Sequence, residues 1–434
     1  MNEVLVGLTG IGALFVLMAF RTPVAFAMLL VGFFGMWVLS GFKSAGGVLL
    51  TESYAAVSGY SLIVVPMFIL LGNVASAAGF SRGLYDAAFA WVGRFRGGLA
   101  SASVIGCAAF SAVSGSSVAT AVTIGKVALP EMKRLGYGDG LGCGAVAAGG
   151  TLGFLIPPST GFVIYAILTE ESIGRLFMAG VLPGLLLTAL FIGTVWIISV
   201  LDPAAGPRGP QVAFGQKFRL LLQALPLVAV ILLSIGGIYV GIFTPVEASG
   251  IGAALVILLA LVSGKLSRHN FRIALFDTVK TSAMLYMVVI GANVLNPFLA
   301  VTHIPTTLGE GLAGLGLGSY GALAVVVAAY VLLGMFLDGL SMLVVTIPIV
   351  FPIMMQNGFD PIWFGVVAVI VVEMGMITPP VGMNVFVVKG IAPDVPMGTI
   401  FRGVLPFLLA MLVCLILIVI FPQIALYLPN SMFD

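Results

Sequence analysis

The chain repeats its own pattern at a nearly constant distance. Thr22-Pro23-Val24 returns as Thr244-Pro245-Val246, and Ile156-Pro157-Pro158 returns as Thr378-Pro379-Pro380, each 222 residues later. A common offset over most of the chain indicates two copies of one structural unit. In a very apolar chain, matched halves with proline breaks in corresponding places are the best sequence indication of a transporter and of its binding site.

The composition is that of a membrane protein. Hydrophobic residues make up 61% of the chain, charged residues only 8%, and the mean hydropathy is +1.22. A soluble domain carries roughly a quarter charged residues. Apolar runs long enough to span a bilayer recur without the alternation of an outer-membrane barrel, so the sequence predicts an all-α polytopic protein. No basic segment precedes the first apolar run, so no cleaved signal peptide is expected. The net charge of +2 gives no indication of nucleic-acid binding.

Each half contains the same series of segments. Three apolar spans are followed by a broken apolar hairpin, a span interrupted at a Pro-Pro pair and a final span. A linker at 202–219, rich in Pro and Gly, joins the first repeat, 1–201, to the second, 220–434. The predicted segments are 3–20, 24–42, 60–78, 99–134, 141–170 and 174–201, and then 220–242, 245–263, 275–300, 318–357, 362–391 and 397–429.

The number of crossings predicts the symmetry. A hairpin that enters and leaves on one side adds an even number of crossings, and a broken span adds one. Each half therefore crosses an odd number of times, and the second copy must be inverted relative to the first, as in many transporters. The sequence predicts two inverted repeats.

The distribution of positive charge supports this topology. The chain has 18 Lys and Arg residues. In the predicted topology, Lys43 and Arg175 lie on the membrane side of the N-terminus, and all the others lie on the opposite side. The positive-inside rule makes that opposite side cytoplasmic. Both termini are therefore predicted to be periplasmic. A wrong number of spans would have scattered the charges.

Residues 80–98 form an additional element of the first half. Phe80, Leu84 and Trp91 fall on one helical face, with Arg82 and Arg94 elsewhere. This pattern predicts an amphipathic helix lying along the cytoplasmic surface. An ordinary connector packed on its own protein is the alternative. The matching stretch 301–318 is rich in Gly and has no Lys or Arg.

Four breaks interrupt the apolar helices. Those at 114–117 and 337–341 predict the tips of two re-entrant hairpins, and those at 149–160 and 373–384 predict the unwound midpoints of two spans. Backbone that leaves a helix inside a bilayer is tolerated only within protein or beside a water-filled cavity. The breaks are therefore the candidate binding sites.

Elementary electrostatics gives the breaks two roles. Unwound carbonyls and helix C-termini offer oxygen ligands to Na⁺, whereas helix N-termini direct N–H groups at an anion. Hydroxyl and amide side chains can serve either role. We predict sodium binding by Ser114, Gly115, Ser116, Gly153, Asp338, Gly339, Gly375 and Thr378. We predict substrate binding by Ser117, Thr151, Pro158, Ser159, Thr160, Glu373, Pro380 and Asn384.

Simpler interpretations exist for each break taken alone. A cluster of Ser and Gly often marks close helix packing, and a Pro-Pro pair often marks a kink. Two pairs of breaks at one offset favour function. Asp338 and Glu373 are the carboxylates of these segments, and intramembrane carboxylates are costly, although Glu373 could be a structural hydrogen-bond acceptor. Ser116, Thr378 and Asp338 are predicted to cap the half-helices that follow them.

These residues resemble the large membrane subunit of tripartite ATP-independent periplasmic (TRAP) transporters over essentially the whole chain. The most specific stretches are 66–68 with Gly72-Asn73, the tip at 114–117, 155–159, 337–339, and Ile377–Asn384. The resemblance implies an elevator-type Na⁺ symporter in the bacterial inner membrane, with Na⁺ as coupling ion and no other cofactor. The transport domain would comprise about 99–170 and 318–391, and the other helices a scaffold.

The resemblance also implies partners and a substrate class. The partners would be a small four-helix membrane subunit, expected as a separate polypeptide, and a periplasmic substrate-binding protein. The substrate would be an organic acid with a carboxylate group.

Other functions are less well supported by the sequence. An intramembrane enzyme lacks a recognisable catalytic motif here. A passive channel is the third class, since re-entrant hairpins also line pores. Among transporters, the alternative is a stand-alone Na⁺/anion symporter that needs no binding protein.

Overall fold

The computed structural model describes residues 3–432, and most of them lie in helices. The first half contains a short 3₁₀ turn, Tyr60–Ile63, directly before α4. Its helices are α1 Glu3–Ala19, α2 Val24–Ser40, α3 Phe42–Ser58, α4 Val64–Ala77, α5 Phe80–Val92, α6 Gly98–Ser114, α7 Ser117–Arg134, α8 Asp139–Leu155, α9 Thr160–Thr169 and α10 Ile173–Leu201.

The second half also contains ten helices. Its helices are α11 Phe214–Tyr239, α12 Pro245–Val262, α13 Arg268–Val301, α14 Ile304–Gly314, α15 Gly318–Gly334, α16 Gly339–Gln356, α17 Pro361–Ile377, α18 Met383–Ile391, α19 Met397–Ile420 and α20 Gln423–Ser431. The predicted hairpins are α6–α7 and α15–α16. The predicted broken spans are α8–α9 and α17–α18.

The polytopic, all-helical prediction is confirmed. Among residues 3–432, eight helices are long and apolar enough to cross a bilayer, or nine if the bent pair α14–α15 is one span. Four shorter apolar helices accompany them. Lipid offers no hydrogen-bond partners to the backbone. A helix can span the bilayer because its backbone groups bond to one another within the segment.

Several predicted boundaries need correction. Residues 42–58 form the helix α3, where no element was predicted, because a segment with Lys43 and Glu52 does not have the composition of a span. The predicted linker is shorter, since α11 begins at Phe214. The last span ends at Ile420, where the chain turns before Pro422 and continues as α20.

Corresponding helices of the two halves make reciprocal contacts. Helix α2 packs on α13, and its counterpart α12 packs on α4. The return arms of the hairpins do the same, since α7 packs on α18 and α16 packs on α9. The α2–α13 contact is close enough that a Cβ on Gly32 would lie 2.5 Å from the Val294 carbonyl oxygen. Small residues permit such approach between membrane helices.

Segments predicted to share one membrane side lie together. The Gly97 N–H donates to the Gly206 carbonyl at 2.9 Å, which joins the linker to the start of hairpin one. At the other end of the molecule, the Arg175 side chain lies 3.3 Å from Asn430 Oδ1. These contacts agree with the predicted grouping of loops. The choice of which side is cytoplasmic stays a prediction.

The predicted surface element is the helix α5, followed by a turn from Gly93 to Gly97. Its 13 residues span about 20 Å, too short to cross a bilayer. Phe80 and Leu84 are buried, whereas Trp91 is exposed and lies 5.9 Å from the Lys217 ammonium. The helix packs on α6 and α11.

Candidate functional site

The tip of hairpin one is a single sharp turn. Helix α6 ends at Ser114, and Gly115 adopts the left-handed conformation with φ +59°, which glycine accepts without steric cost. Ser116 is extended and caps α7, its hydroxyl accepting from the Ala119 N–H at 3.4 Å. The predicted cap at Ser116 is therefore present. The Ser114 hydroxyl is 2.7 Å from that of Thr120.

Tip one rests directly on the first broken span. The Gly115 carbonyl accepts from the Thr160 N–H at 3.2 Å and from the Thr160 hydroxyl at 2.8 Å. A Cβ on Gly115 would lie 2.5 Å from the Pro158 carbonyl oxygen, and one on Gly153 would lie 2.5 Å from the Ser116 carbonyl oxygen. Glycine at both positions allows this contact between tip and break.

The hydroxyls of the first broken span have local partners. Ser159 caps α9, since its oxygen accepts from the Phe162 N–H at 3.3 Å and its hydroxyl donates to the Phe154 carbonyl. The Thr151 hydroxyl donates to the Ala148 carbonyl at 2.6 Å within α8. The Ser159 side chain thus caps α9, and the Thr151 hydroxyl is already bonded within α8.

Tip two is built around Asp338. Its Oδ1 accepts from the Ser341 N–H at 3.1 Å, and its Oδ2 accepts from the Ser341 hydroxyl, so the predicted cap of α16 is present. A Cβ on Gly375 would lie 2.6 Å from the Gly334 Cα, and one on Gly339 would lie 3.0 Å from the Met376 sulfur. Tip two therefore rests on the second broken span, as tip one does on the first.

The predicted cap at Thr378 is wrong. Its hydroxyl donates backwards to the Met374 carbonyl at 2.6 Å, and the residue ends α17 instead of starting α18. Gly382, with φ +61°, precedes α18 and gives it no side-chain cap. Pro379 and Pro380 lie between the two half-helices, and α18 begins only at Met383. Thr378 is therefore too far from α18 to cap it. Pro380, a predicted substrate residue, is exposed.

A buried carboxylate joins the two halves. The Ser117 hydroxyl of hairpin one donates to Glu373 Oε1 of the second broken span at 2.5 Å. Glu373 is only 1% exposed. Within residues 3–432, its Oε2 and both polar side-chain atoms of the fully buried Asn384 have no hydrogen-bond partner. Buried polar groups usually have partners, so these atoms are available to a ligand.

Each hairpin tip thus has one carboxylate at the N-terminus of its return helix. Asp338 precedes α16, and Glu373 contacts Ser117, the first residue of α7. A helix N-terminus stabilises negative charge. The two sites differ in origin, since Asp338 belongs to its own hairpin and Glu373 comes from the opposite half.

A chamber of about 160 Å³ lies beside tip one. On the hairpin side its polar lining is Ser114, Ser116, Thr123 and Thr160, the last from α9. The facing wall is formed by α4 and α13, outside the predicted transport domain. Its polar residues are Asn73, Ser76 and Thr281.

A larger vestibule of about 520 Å³ lies further along α4 and α9, at the end of the molecule predicted to be periplasmic. Glu170 and Glu171 line its rim, and burial raises the pKa of Glu171. A small cavity of about 10 Å³ shares Val64 of α4 with the vestibule, and Ser114 and Thr160 with the chamber. The three cavities are therefore neighbours beside α4 and the first broken span.

The scaffold wall of the chamber was not predicted from the sequence. Asn73 is the clearest signal in retrospect, because an amide side chain within an apolar span needs a partner. Its Nδ2 donates to the Thr278 hydroxyl oxygen at 3.0 Å. Ser76 and Thr281 give no such signal, since hydroxyls in membrane helices commonly bond their own backbone.

Comparison with known proteins identifies the family. The profile of the tripartite ATP-independent periplasmic transporter, DctM component, matches residues 11–424. The chain belongs to this family. It is 37% identical over 372 residues to the C4-dicarboxylate TRAP transporter large permease protein DctM of Pseudomonas aeruginosa, covering 86% of each chain. It is 31% identical over 381 residues to the sialic acid TRAP transporter large permease protein SiaM of Vibrio cholerae, covering 87% of this chain and 88% of that one.

The fold also resembles a solved transporter structure. The YdaH transporter of Alcanivorax borkumensis aligns with a TM-score of 0.60 at 17% identity, covering 91% of this chain and 89% of that one. Its identity is low, so the similarity concerns the fold alone. Family membership confirms a multi-pass TRAP transporter subunit of the inner membrane and not an enzyme. It implies a periplasmic binding protein and a small membrane subunit as partners.

Proposed function

We propose that the chain is the translocating subunit of a Na⁺-coupled uptake system for an organic acid. The observation that carries the proposal is the meeting of both hairpin tips with both broken spans, joined by the Ser117–Glu373 hydrogen bond. Broken helices at membrane depth supply dipole ends and free carbonyls, which are the usual ligands of transporter sites.

Sodium would bind where oxygen atoms converge at the tips. The Gly115 and Ser116 carbonyls lie at tip one with the Ser114 hydroxyl, and Asp338 lies at tip two. Hard cations prefer such oxygen ligands.

The substrate would be a carboxylate. Relatives are named for C4-dicarboxylate and for sialic acid, and both are organic acids. The N-termini of α7 and α9 face the chamber through Ser116 and Thr160. Helix N-termini bind anions without a charged side chain, which suits reversible binding.

An elevator mechanism accounts for the division of the molecule. The hairpins and broken spans, about 99–170 and 318–391, would move as one body against the scaffold, and substrate would be bound between them. The reciprocal contacts of corresponding helices support the proposed inverted repeat. The binding protein would deliver substrate at the periplasmic face, and the small subunit would extend the scaffold in the bilayer.

Uptake into proteoliposomes tests the function. The large subunit is reconstituted with the small subunit, and succinate, N-acetylneuraminate, lactate and ectoine are presented with the cognate binding protein. We expect accumulation of at least one acid with an inward Na⁺ gradient and none when choline replaces Na⁺. Equal uptake in choline, or a strict requirement for ATP, would contradict the proposal. Uptake without the binding protein would indicate the stand-alone symporter instead.

A further inference from the structure

The chamber beside tip one has two chemically different ends. At the hairpin end, Ser116 and Thr160 mark the N-termini of α7 and α9, where positive dipole ends converge. At the scaffold end, the polar groups are the amide of Asn73 and the hydroxyls of Ser76 and Thr281. None of the residues lining this chamber in the described part of the chain carries a charge.

The orientation of the Asn73 amide is fixed by its neighbour. The Thr278 hydroxyl donates its hydrogen to the Ala274 carbonyl at 2.7 Å, so its oxygen can only accept from Asn73. The Asn73 atom 3.0 Å away must therefore be the NH₂ nitrogen. The Asn73 carbonyl oxygen is left as an acceptor at the chamber wall, together with the remaining N–H.

The tip of hairpin one passes closely over this wall. A Cβ on Gly72 would lie 2.7 Å from the Val113 carbonyl oxygen and 3.0 Å from the Ser114 Cα. The absence of a side chain at position 72 thus brings the hairpin end and the Asn73 end within reach of one small molecule. The volume of about 160 Å³ holds on the order of ten water-sized atoms.

We propose that this chamber selects a small hydroxylated monocarboxylate, with Asn73 as the specificity-determining residue on the scaffold. This inference rests on the proposed function and names its substrate class. The single carboxylate lies at the N-termini of α7 and α9, and the hydroxyl groups meet Asn73, Ser76 and Thr281. A dicarboxylate would place its second charge on an uncharged wall, where it finds hydrogen bonds but no opposite charge. Thr278 is a positioning residue, since it acts only by orienting Asn73.

Protection of a cysteine from modification tests the chamber directly. The three buried native cysteines, at 107, 143 and 414, are replaced by Ala, and Ser76→Cys is introduced in the complex with the small subunit. The probe is 2-sulfonatoethyl methanethiosulfonate, a small anion. The introduced thiolate attacks its sulfenyl sulfur, forming a mixed disulfide and releasing methanesulfinate. We expect labelling, and protection by lactate or glycerate at lower concentration than by succinate or propionate.

Substitutions at Asn73 and Thr278 test whether protection of the cysteine at position 76 depends on the Asn73 amide. We expect Asn73→Leu to weaken protection by lactate roughly five- to tenfold, the effect of one lost hydrogen bond, and to leave protection by propionate unchanged. Thr278→Val should reproduce part of this loss, and Thr278→Ser, which keeps the hydroxyl, should restore it. Ser111→Ala is the control, because its hydroxyl bonds only within α6.

Failure of the anion to label the Ser76→Cys variant, protection by succinate at or below the lactate concentration, or no protection by any acid would overturn the inference. So would equal loss of lactate and propionate protection in Asn73→Leu. The proposed function would survive these outcomes if Na⁺-driven uptake with the binding protein persisted. Loss of Na⁺ dependence in that uptake would instead overturn the proposed function.

Discussion

The Ser117–Glu373 hydrogen bond gives the sharpest prediction about stability. Glu373 is 1% exposed, and its Oε1 accepts from the Ser117 hydroxyl at 2.5 Å. Ser117→Ala would leave a buried carboxyl group without this donor. Leaving a buried acceptor without its hydrogen-bond donor costs about 1–3 kcal/mol. Alanine regains a few tenths of a kcal/mol in helix propensity, so we expect a net loss of about 2 kcal/mol in the free energy of unfolding.

A double-mutant cycle separates the energy of this hydrogen bond from other effects of the substitutions on stability. Glu373→Leu removes the acceptor, so Ser117→Ala should cost about 1 kcal/mol less in that background. The free energy of unfolding is measured by denaturation in mixed micelles. Ser111→Ala is the matched control, since this buried hydroxyl bonds only to the Cys107 carbonyl of its own helix. A loss in Ser117→Ala no larger than in the control, or no coupling to Glu373, would refute the reasoning.

Three further predictions concern the tips and the surface helix. Asp338→Asn keeps the cap of α16 but removes its charge, so it should abolish Na⁺-driven uptake without lowering stability. Asp360→Asn is the control, because it makes the same change at the cap of α17 and should leave uptake intact. Equal uptake by the two variants would show that Asp338 has no role at the site. Gly115→Ala should destabilise the protein by at least about 1 kcal/mol in thermal unfolding, because alanine disfavours φ +59° and would meet the Pro158 carbonyl. Unchanged unfolding would contradict the tip geometry. Cysteines at 82 and 96, in a background without native cysteines, should resist an impermeant thiol reagent applied to intact cells, and labelling of either would refute both the surface helix and the topology.

The positions of the breaks could be predicted from the sequence. Ser, Gly and Pro within apolar runs are conspicuous, and their recurrence at one offset removes most of the ambiguity. The caps at Ser116 and Asp338 followed from their residue types, since both are favoured N-caps. The all-helical fold followed from hydropathy alone.

The pairing of side chains across the breaks could not be predicted. Ser117 and Glu373 are 256 residues apart, and only the packing of hairpin one against the second broken span brings them together. The role of Thr378 was mispredicted for a related reason. A threonine beside a proline pair can cap the helix behind it or the helix ahead, and the length of the break decides which.

The extent of the scaffold could not be predicted from the sequence either. Helix α3 carries enough polar residues to resemble a loop, and its second-half counterpart is the continuous first part of α13. The wall at Asn73 depends on the distance between α4 and hairpin one. That distance is set by Gly72, whose close contact with Val113 only the folded structure reveals.

Cross-linking tests the central claim that the hairpins and broken spans move against the scaffold. Ile69 of α4 and Ala119 of hairpin one line the same chamber, whereas Lys133 and Asp394 form an ion pair between the end of hairpin one and the loop after α18. Cysteine pairs at 69 and 119, and at 133 and 394, are joined by a short, reducible bifunctional thiol reagent in the reconstituted complex. We expect the 69–119 link to stop Na⁺-driven uptake until it is reduced, and the 133–394 link to leave uptake unchanged. Uptake at the unlinked rate with residues 69 and 119 fully cross-linked would contradict the claim that the hairpins move against the scaffold.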